Sequence, residues 1–463
     1  MSKRRQRRSR LPSEPVALEI TSLSHEGRGV AHIEGKVAFV DGALKSERVT
    51  ASYVRRRGSF DELRVVSVET ASAYRVEPRC RFAGLCGGCS LQHMDPDAQI
   101  EFKESVLLEQ LQHAAGLGAG DFEILPRLQD KKFHYRRKAR LAVRMVAKKG
   151  GALVGFREKY SSFITVMDDC QVLVEDVARL IQPLRQLISG LQGNQIIPQI
   201  EVAVGEQEGA VGEQEDWQNK VALVIRHLQP FNSSDLEALT AFAEQYELEL
   251  YLQPSGMESV HKIYPATGAD RLQYFLPEFN LTLNFHPMDF TQINAGINRS
   301  IINQALALLD VQQDDVVLDL FCGLGNFTLP TATRCKSVVG VEGSEEMVRR
   351  GAENATLNKL SNATFYAADL SQAISDKEWA KQKFNKIIID PPRSGAIEII
   401  RQVAEFGASK IVYISCNPAT LARDTAELIK AGYTLKSAGV MDMFPHTTHV
   451  ESMALFELPG ARK

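Results

Sequence analysis

A chain of 463 residues, 44% apolar and 24% charged, exceeds what one ordinary core can hold and has material for two to four. Its net charge of −3 is nearly neutral, and no run of about 18 apolar residues marks a membrane span. Seven cysteines with no apolar leader argue against a disulfide-stapled secreted protein and for reduced thiols, a metal centre or a nucleophile, with the cytoplasm as the expected compartment.

Residues 1–12 form a basic arm, with Lys3, Arg4, Arg5, Arg7, Arg8 and Arg10 and no acid among the first ten residues. Such a block is expected to be disordered, and nucleic acid is a common partner for one. Residues 13–73 read as all-β, with strands predicted at Val16–Leu23, Lys36–Val40, Arg48–Val54 and Leu63–Val68 between glycine turns. Short, evenly spaced strands suggest a small barrel. The pattern I-x-x-L-x-x-x-G-x-G-V-A, ending in F-V-x-G-A, resembles the TRAM domain, an OB-like RNA-binding barrel of RNA-modifying enzymes; Lys45-Ser46 stands where that turn often has Pro-Gly. Arg55, Arg56 and Arg57 suit phosphate contacts or a solvated loop equally.

A central domain is expected over residues 74–288. Cys80, Cys86 and Cys89 follow the spacing C-x5-C-x2-C among glycines, and Cys170 lies far downstream in D-D-C-Q. Four thiolates close a four-coordinate site, which zinc or a [4Fe–4S] cluster fits equally well. Asp95-Pro96 opens a predicted helix, an acceptor followed by proline at the first helical position, with Ile100, Leu107, Leu111 and Ala114 on one face. Residues 127–159 hold twelve lysines and arginines, with Phe133, Tyr135 and Phe156 among them and Tyr160 just beyond. A basic strand studded with aromatics suits single-stranded or looped RNA, whose free bases can lie on rings. Residues 172–191 predict an amphipathic helix carrying Val177, Ile181, Leu184 and Ile188; a tandem near-repeat over 199–216 reads as an acidic hairpin tip, and an α+β pattern fills 221–285.

Residues 289–463 alternate strand and helix and predict a doubly wound α/β domain with a seven-stranded sheet. Asp319-Leu-Phe-Cys-Gly-Leu-Gly-Asn326 leaves the first strand, and its glycines let backbone approach a ligand. Glu342 ends the second strand, 23 residues after Asp319, where a carboxylate commonly accepts ribose hydroxyls; Asp369 after the third strand could meet an adenine edge. A full G-x-G-x-x-G is missing. Cys416 follows the apolar run Ile411–Ile414 at the edge where open sheets place their ligand crevice; alone it would be a small buried hydrophobe.

Asp390-Pro-Pro-Arg393, Phe290-Thr-Gln-Ile-Asn294, Ser415-Cys-Asn-Pro418 and His446-Thr-Thr-His-Val-Glu451 together closely resemble the RNA uracil-C5 methyltransferases. The TRAM-like segment and four cysteines narrow the resemblance to the iron–sulfur branch that acts on 23S rRNA, of the uracil-1939 type. It implies S-adenosylmethionine and a [4Fe–4S] cluster as cofactors, 23S rRNA with an unstacked uridine as partner, no membrane and a monomer. By position it implies Gln292, Phe321, Asn326, Glu342, Asp369 and Asp390 as cofactor contacts, Cys416 as nucleophile, Glu451 as base, and Cys80, Cys86, Cys89 and Cys170 as cluster ligands. Cys322 and Cys335 match no role and read as packing; His446 and His449 could position Glu451 or the target base, or equally form a structural turn. Two other readings remain: a tRNA-directed uracil methyltransferase, and an RNA-binding or chaperone protein without catalysis.

Overall fold

The computed structural model describes residues 11–208 and 217–460. The basic arm and the second half of the near-repeat therefore lie outside the described residues. The chain divides into two compact units: residues up to Phe102 with Phe444–Thr448, and Lys103–Met443 with the remaining C-terminal residues.

In the first unit six strands form one sheet in the order Val16–Glu19, Arg48–Arg56, Phe60–Thr70, Lys36–Asp41, Gly29–Ile33 and Ser22–Leu23. Neighbours are antiparallel except Lys36–Asp41 beside Phe60–Thr70. Alternation sends Leu18, Ala31, Val40, Val49 and Leu63 into one apolar cluster. Three of the predicted strands are present; the fourth, Val16–Leu23, is corrected to two, Val16–Glu19 and Ser22–Leu23, at opposite edges of the sheet, and Gly29–Ile33 adds one that the sequence reading left as turn. Buried Glu47 ties the sheet to the next segment, receiving Arg75 Nε at 2.5 Å and the Leu44 amide at 2.7 Å.

A helix spans Pro96–Ala115. Asp95 Oδ1 accepts from the amides of Asp97 and Ala98 at 2.9 and 3.3 Å, the expected cap. Ile100, Leu107 and Leu111 are buried, but Ala114 is exposed because the helix is in its last turn there. Lys103 takes the vacant place in the buried stripe.

In the second unit, a six-stranded sheet contains the basic strand Lys138–Val146 between Gly151–Gly155 and Gln199–Glu208. Its side chains alternate: Ala139, Leu141 and Val143 are buried, and Arg140 and Arg144 are exposed. Several of its charges have internal partners, Arg137 with buried Glu206 at 3.1 Å and Arg140 with Glu201 at 2.8 Å. The predicted helix over 172–191 is two, Glu175–Ala178 and Ile181–Gly190, with all four apolar residues buried.

The catalytic-region sheet contains β1 (Val316–Leu320), β2 (Ser337–Glu342), β3 (Ala363–Ala367), β4 (Lys386–Ile389), β5 (Lys410–Ser415), β6 (Thr434–Met441) and β7 (Glu451–Glu457). Their order is 3-2-1-4-5-7-6; β1 to β5 are parallel and β7 is antiparallel to both neighbours. β1, β4 and β5 are apolar along nearly their whole length because helices cover both faces. The expected count of seven is corrected to eight: Glu123–Ile124 adds a two-residue strand beside β6. Two residues carry no periodicity to read. Gly439 admits this edge, since a Cβ there would lie 2.6 Å from that of Leu125.

Asp424, fully buried on the helix Pro418–Lys430, accepts the Tyr413 hydroxyl at 2.6 Å and the Ala396 amide at 2.8 Å, joining β5 to the loop after β4. Asp424→Ala leaves both donors buried without their acceptor. It should cost about 2–4 kcal/mol, read as a lower urea midpoint with an unchanged m-value; an unaltered midpoint would show that the contact is not structural.

Candidate active site

Cys416 lies one residue past β5, in a turn held from several directions. The Ser415 hydroxyl accepts from the Asn417 amide at 3.1 Å and donates to the Asn417 carbonyl at 3.0 Å. Asn417 caps the following helix through the Ala419 amide at 3.2 Å, and its Nδ2 donates to the Arg393 carbonyl at 3.0 Å. The ladder between β5 and β7 pairs Ser415 with Ser452. Continued by one step, the same register sets Cys416 opposite Glu451, the first residue of β7.

The surroundings of this pair are rich in acid. Burial pushes the Asp390 carboxyl up to about 7. Burial and then the Asp390 charge push Glu451 up to about 8, while Arg393 and Lys103 pull it down. Burial, then Glu451 and Asp390, push the Cys416 thiol up to about 11. Each acid thus makes its neighbours harder to ionise. Arg393 Nη2 donates to His449 Nδ1 at 2.7 Å. Partial burial and then Arg393 lower His449 to about 4, so its ring is neutral at pH 7.

Around the loop after β1, Phe321, Gly323 and Gly325 all have positive φ (65°, 55° and 99°), a left-handed course that glycine takes without strain. The Gly323 amide donates to Glu342 Oε2 at 3.2 Å, and Oε1 accepts from the amides of Gly343 and Ser344. Buried Asp319 accepts the Thr328 hydroxyl at 2.5 Å, and burial pushes it up to about 8. The helix that follows is short, Thr328–Ala332. Asn326 and Asn298 exchange hydrogen bonds at 2.9 and 3.0 Å, and the Tyr274 hydroxyl donates to the same Asn326 oxygen at 2.9 Å. Gln292 lines a small cavity with Tyr274 and Asn298. Asp369 stands exposed after β3, held below the usual carboxylate range by the Ser371 hydroxyl and amide.

The structure thus gathers Cys416, Glu451, Asp390, Arg393 and His449 at one place, and Glu342 with the glycine loop at another. His446 belongs instead to the first unit: buried, with φ 65°, it is bracketed by Gln99, whose Oε1 accepts the His446 amide at 2.8 Å and whose Nε2 lies 3.2 Å from its ring nitrogen. That is a structural turn. Cys322 and Cys335 are buried, with thiols driven up by burial, as packing residues should be. Cys80, Cys86 and Cys89 lie on successive turns of the first unit, where the Gly88 amide donates to Cys86 Sγ at 3.4 Å; Cys170 belongs to the second unit. Among the described residues no three His, Cys, Asp or Glu side chains converge as a metal site would require.

Sequence reasoning missed Tyr274 and Asn298, which hold Asn326 and carry no local signature. It also missed Lys103 and Asp442, an ion pair at 2.7 Å whose members are 0% and 1% exposed. A signal existed, since Lys103 falls in helical register with Ile100, Leu107 and Leu111.

A parallel sheet with acids at successive strand ends, a glycine loop and a thiol in register with a carboxylate defines a methyltransferase of the doubly wound class. Residues 269–458 match a family profile described as tRNA (Uracil-5-)-methyltransferase. Proteins described as 23S rRNA (uracil(1939)-C(5))-methyltransferase RlmD are similar over nearly the whole chain. That of Hahella chejuensis is 53% identical over 455 residues, covering 97% of this chain and 99% of its own; that of Alcanivorax borkumensis is 51% identical over 451 residues, covering 97% and 98%. The fold is shared with the crystal structure of Pyrococcus abyssi tRNA (uracil-54, C5)-methyltransferase in complex with S-adenosyl-L-homocysteine, at a TM-score of 0.70 and 23% identity over 95% of this chain and all of that one. The chain belongs to the RNA uracil-C5 methyltransferase family, among the 23S rRNA (uracil-C5)-methyltransferases.

The Glu451 environment has a consequence for stability. Its folded value lies above the ordinary 4.5, so the folded state holds a proton that the unfolded chain would release. That contribution is complete below about pH 4 and is lost as pH rises towards 8. Glu451→Gln cannot ionise, so its melting temperature should gain on the parent's between pH 5 and pH 9, by roughly 2–4 °C for each kcal/mol recovered. A gap that stays constant across this range would contradict the assignment.

Proposed function

We propose that the protein methylates carbon-5 of a uridine in 23S rRNA, of the uracil-1939 type, through a covalent Cys416 adduct. The register that sets Cys416 opposite Glu451 carries this reading. Carbon-5 of uracil is a poor nucleophile. Addition of Cys416 Sγ to carbon-6 breaks the 5,6 double bond and moves its electron pair into an enolate, with negative charge on carbon-5. Asp390, whose proton affinity lies near pH 7, takes the thiol proton as its carboxylate and leaves Glu451 free for the later step. Bound S-adenosylmethionine supplies an electrophilic sulfonium methyl. Glu342, Asp369, Asp390, Phe321, Asn326 and Gln292 hold it, with Asn326 fixed in turn by Tyr274 and Asn298. Glu451, as carboxylate, then removes the carbon-5 proton; the electron pair restores the double bond and expels the Cys416 thiolate. The base must leave its stack to reach a strand end, so a looped-out uridine is the substrate. The protein acts as a monomer in the cytoplasm.

In the same reading, residues 13–73 are the TRAM barrel, 74–288 the iron–sulfur and RNA-binding domain and 289–463 the catalytic domain. Cys80, Cys86, Cys89 and Cys170 hold a [4Fe–4S] cluster. The Gly88 amide directed at Cys86 Sγ supports a thiolate there. Methyl transfer needs no electron, so these thiols serve folding or RNA placement. Anaerobically purified protein should be brown and contain about four irons per chain, both lost in Cys86→Ala; a colourless protein containing zinc would overturn the cluster.

Incubation with radiolabelled donor and unmodified large-subunit rRNA fragments, followed by mapping of the modified base, tests the function. Cys416→Ala should lower turnover by about 10³-fold or more. Glu451→Gln should accumulate a protein–RNA adduct that survives denaturation. Turnover preserved in Cys416→Ala would refute the covalent route, and label appearing in tRNA alone would favour the tRNA reading.

A further inference from the structure

Among the described residues Lys103 is the largest charged side chain that is completely buried, on a helix whose other inward residues, Gln99 apart, are apolar. Its Nζ donates to Asp442 Oδ1 at 2.7 Å, and both side chains are out of solvent. A buried ion pair is costly to form and is weak support for stability by itself, so a functional reason is worth seeking. Asp442 directly follows β6, and the β6–β7 ladder pairs the preceding residue, Met441, with Glu451. The ion pair therefore stands one residue from the cross-strand partner of the base.

We infer that Lys103 is a positioning residue for elimination: pinned by Asp442, it favours the carboxylate form of Glu451 when the carbon-5 proton has to be taken. This rests on Glu451 being the base. The groups facing Glu451 are Asp390 and Arg393 from the loop after β4, Lys103 from the helix and the Cys416 thiol from the end of β5. Burial and then Asp390 disfavour its ionisation, and Arg393 is exposed and already engaged with His449. Lys103 is thus the fully buried cation of the group, where its charge is least screened. Burial lowers Lys103's own hold on its proton, and Asp442 opposes that loss. Asp442 favours the charged form of Lys103, and Lys103 in turn favours the charged form of Glu451.

The test is the pH dependence of product release, with adduct level as the second readout, using full-length protein, S-adenosylmethionine and an unmodified rRNA fragment. Lys103→Met combined with Asp442→Asn removes the pair without stranding a charge. It should move the acidic limb of the rate upward by about one pH unit and raise the adduct level near pH 7. Asp442→Asn alone, close to isosteric, should shift the limb in the same direction because Lys103 then loses its proton more readily. It decides the matter if the double variant does not fold. Lys103→Arg should restore the parent profile. An acidic limb that stays in place in Asp442→Asn, with no added adduct, overturns the inference. If Glu451→Gln stalls elimination while these variants do not, only the role of Lys103 falls; if Glu451→Gln releases product normally, the base assignment itself falls.

Discussion

The antiparallel pairing of β5 with β7 is the constraint on which the site depends. Side chains alternate between sheet faces, so a slip of one residue would move Glu451 to the face opposite Cys416. The register is held by burial on both sides: Ile411, Val412, Tyr413 and Ile414 face Phe456, Leu455, Ala454 and Met453 in a strand pair with almost no exposed surface. Packing several residues from the chemistry therefore sets the distance between thiol and carboxylate.

A second constraint is electrostatic. Asp319 near the end of β1, Glu342 at the end of β2, Asp390 after β4 and Glu451 at the start of antiparallel β7 lie on one edge of the sheet, and burial makes ionisation unfavourable for three of them. Burial and mutual repulsion favour neutral carboxyls and a neutral thiol here. Such an edge is suited to receive a positive charge, and groups whose proton affinities lie close to pH 7 can pass protons between them without large barriers. Few cations are present to relieve the acids, which gives those few, Arg393 and Lys103, a disproportionate influence.

Chemistry-bearing residues in short motifs were legible because each motif also dictates local backbone. Asn417-Pro418 is at once a strand stop, a helix cap and a first helical residue, so Cys416 could be placed beside a strand end before any coordinates. The glycine loop was legible for the same reason. Helix caps and the alternation of the basic strand followed from periods of 3.6 and 2. Glu123–Ile124, the split helix over 172–191 and the exposure of Ala114 were not legible, because each depends on what packs beside the segment.

The sequence alone determined the class of chemistry, the doubly wound domain and the candidates for the reacting side chains, since these reside in residue types at fixed short spacings. The tertiary structure decided which residues support them. His446 and His449, three apart in sequence, have unlike roles because Phe444–Thr448, which holds His446, belongs to the first unit and the chain rejoins the second at His449. Lys103 meets Asp442 across 339 residues, and Tyr274 meets Asn326 across 52. Partners so distant leave no periodic trace, because a buried hydrogen bond or ion pair is specified by where two elements pack and not by the order in which they are written.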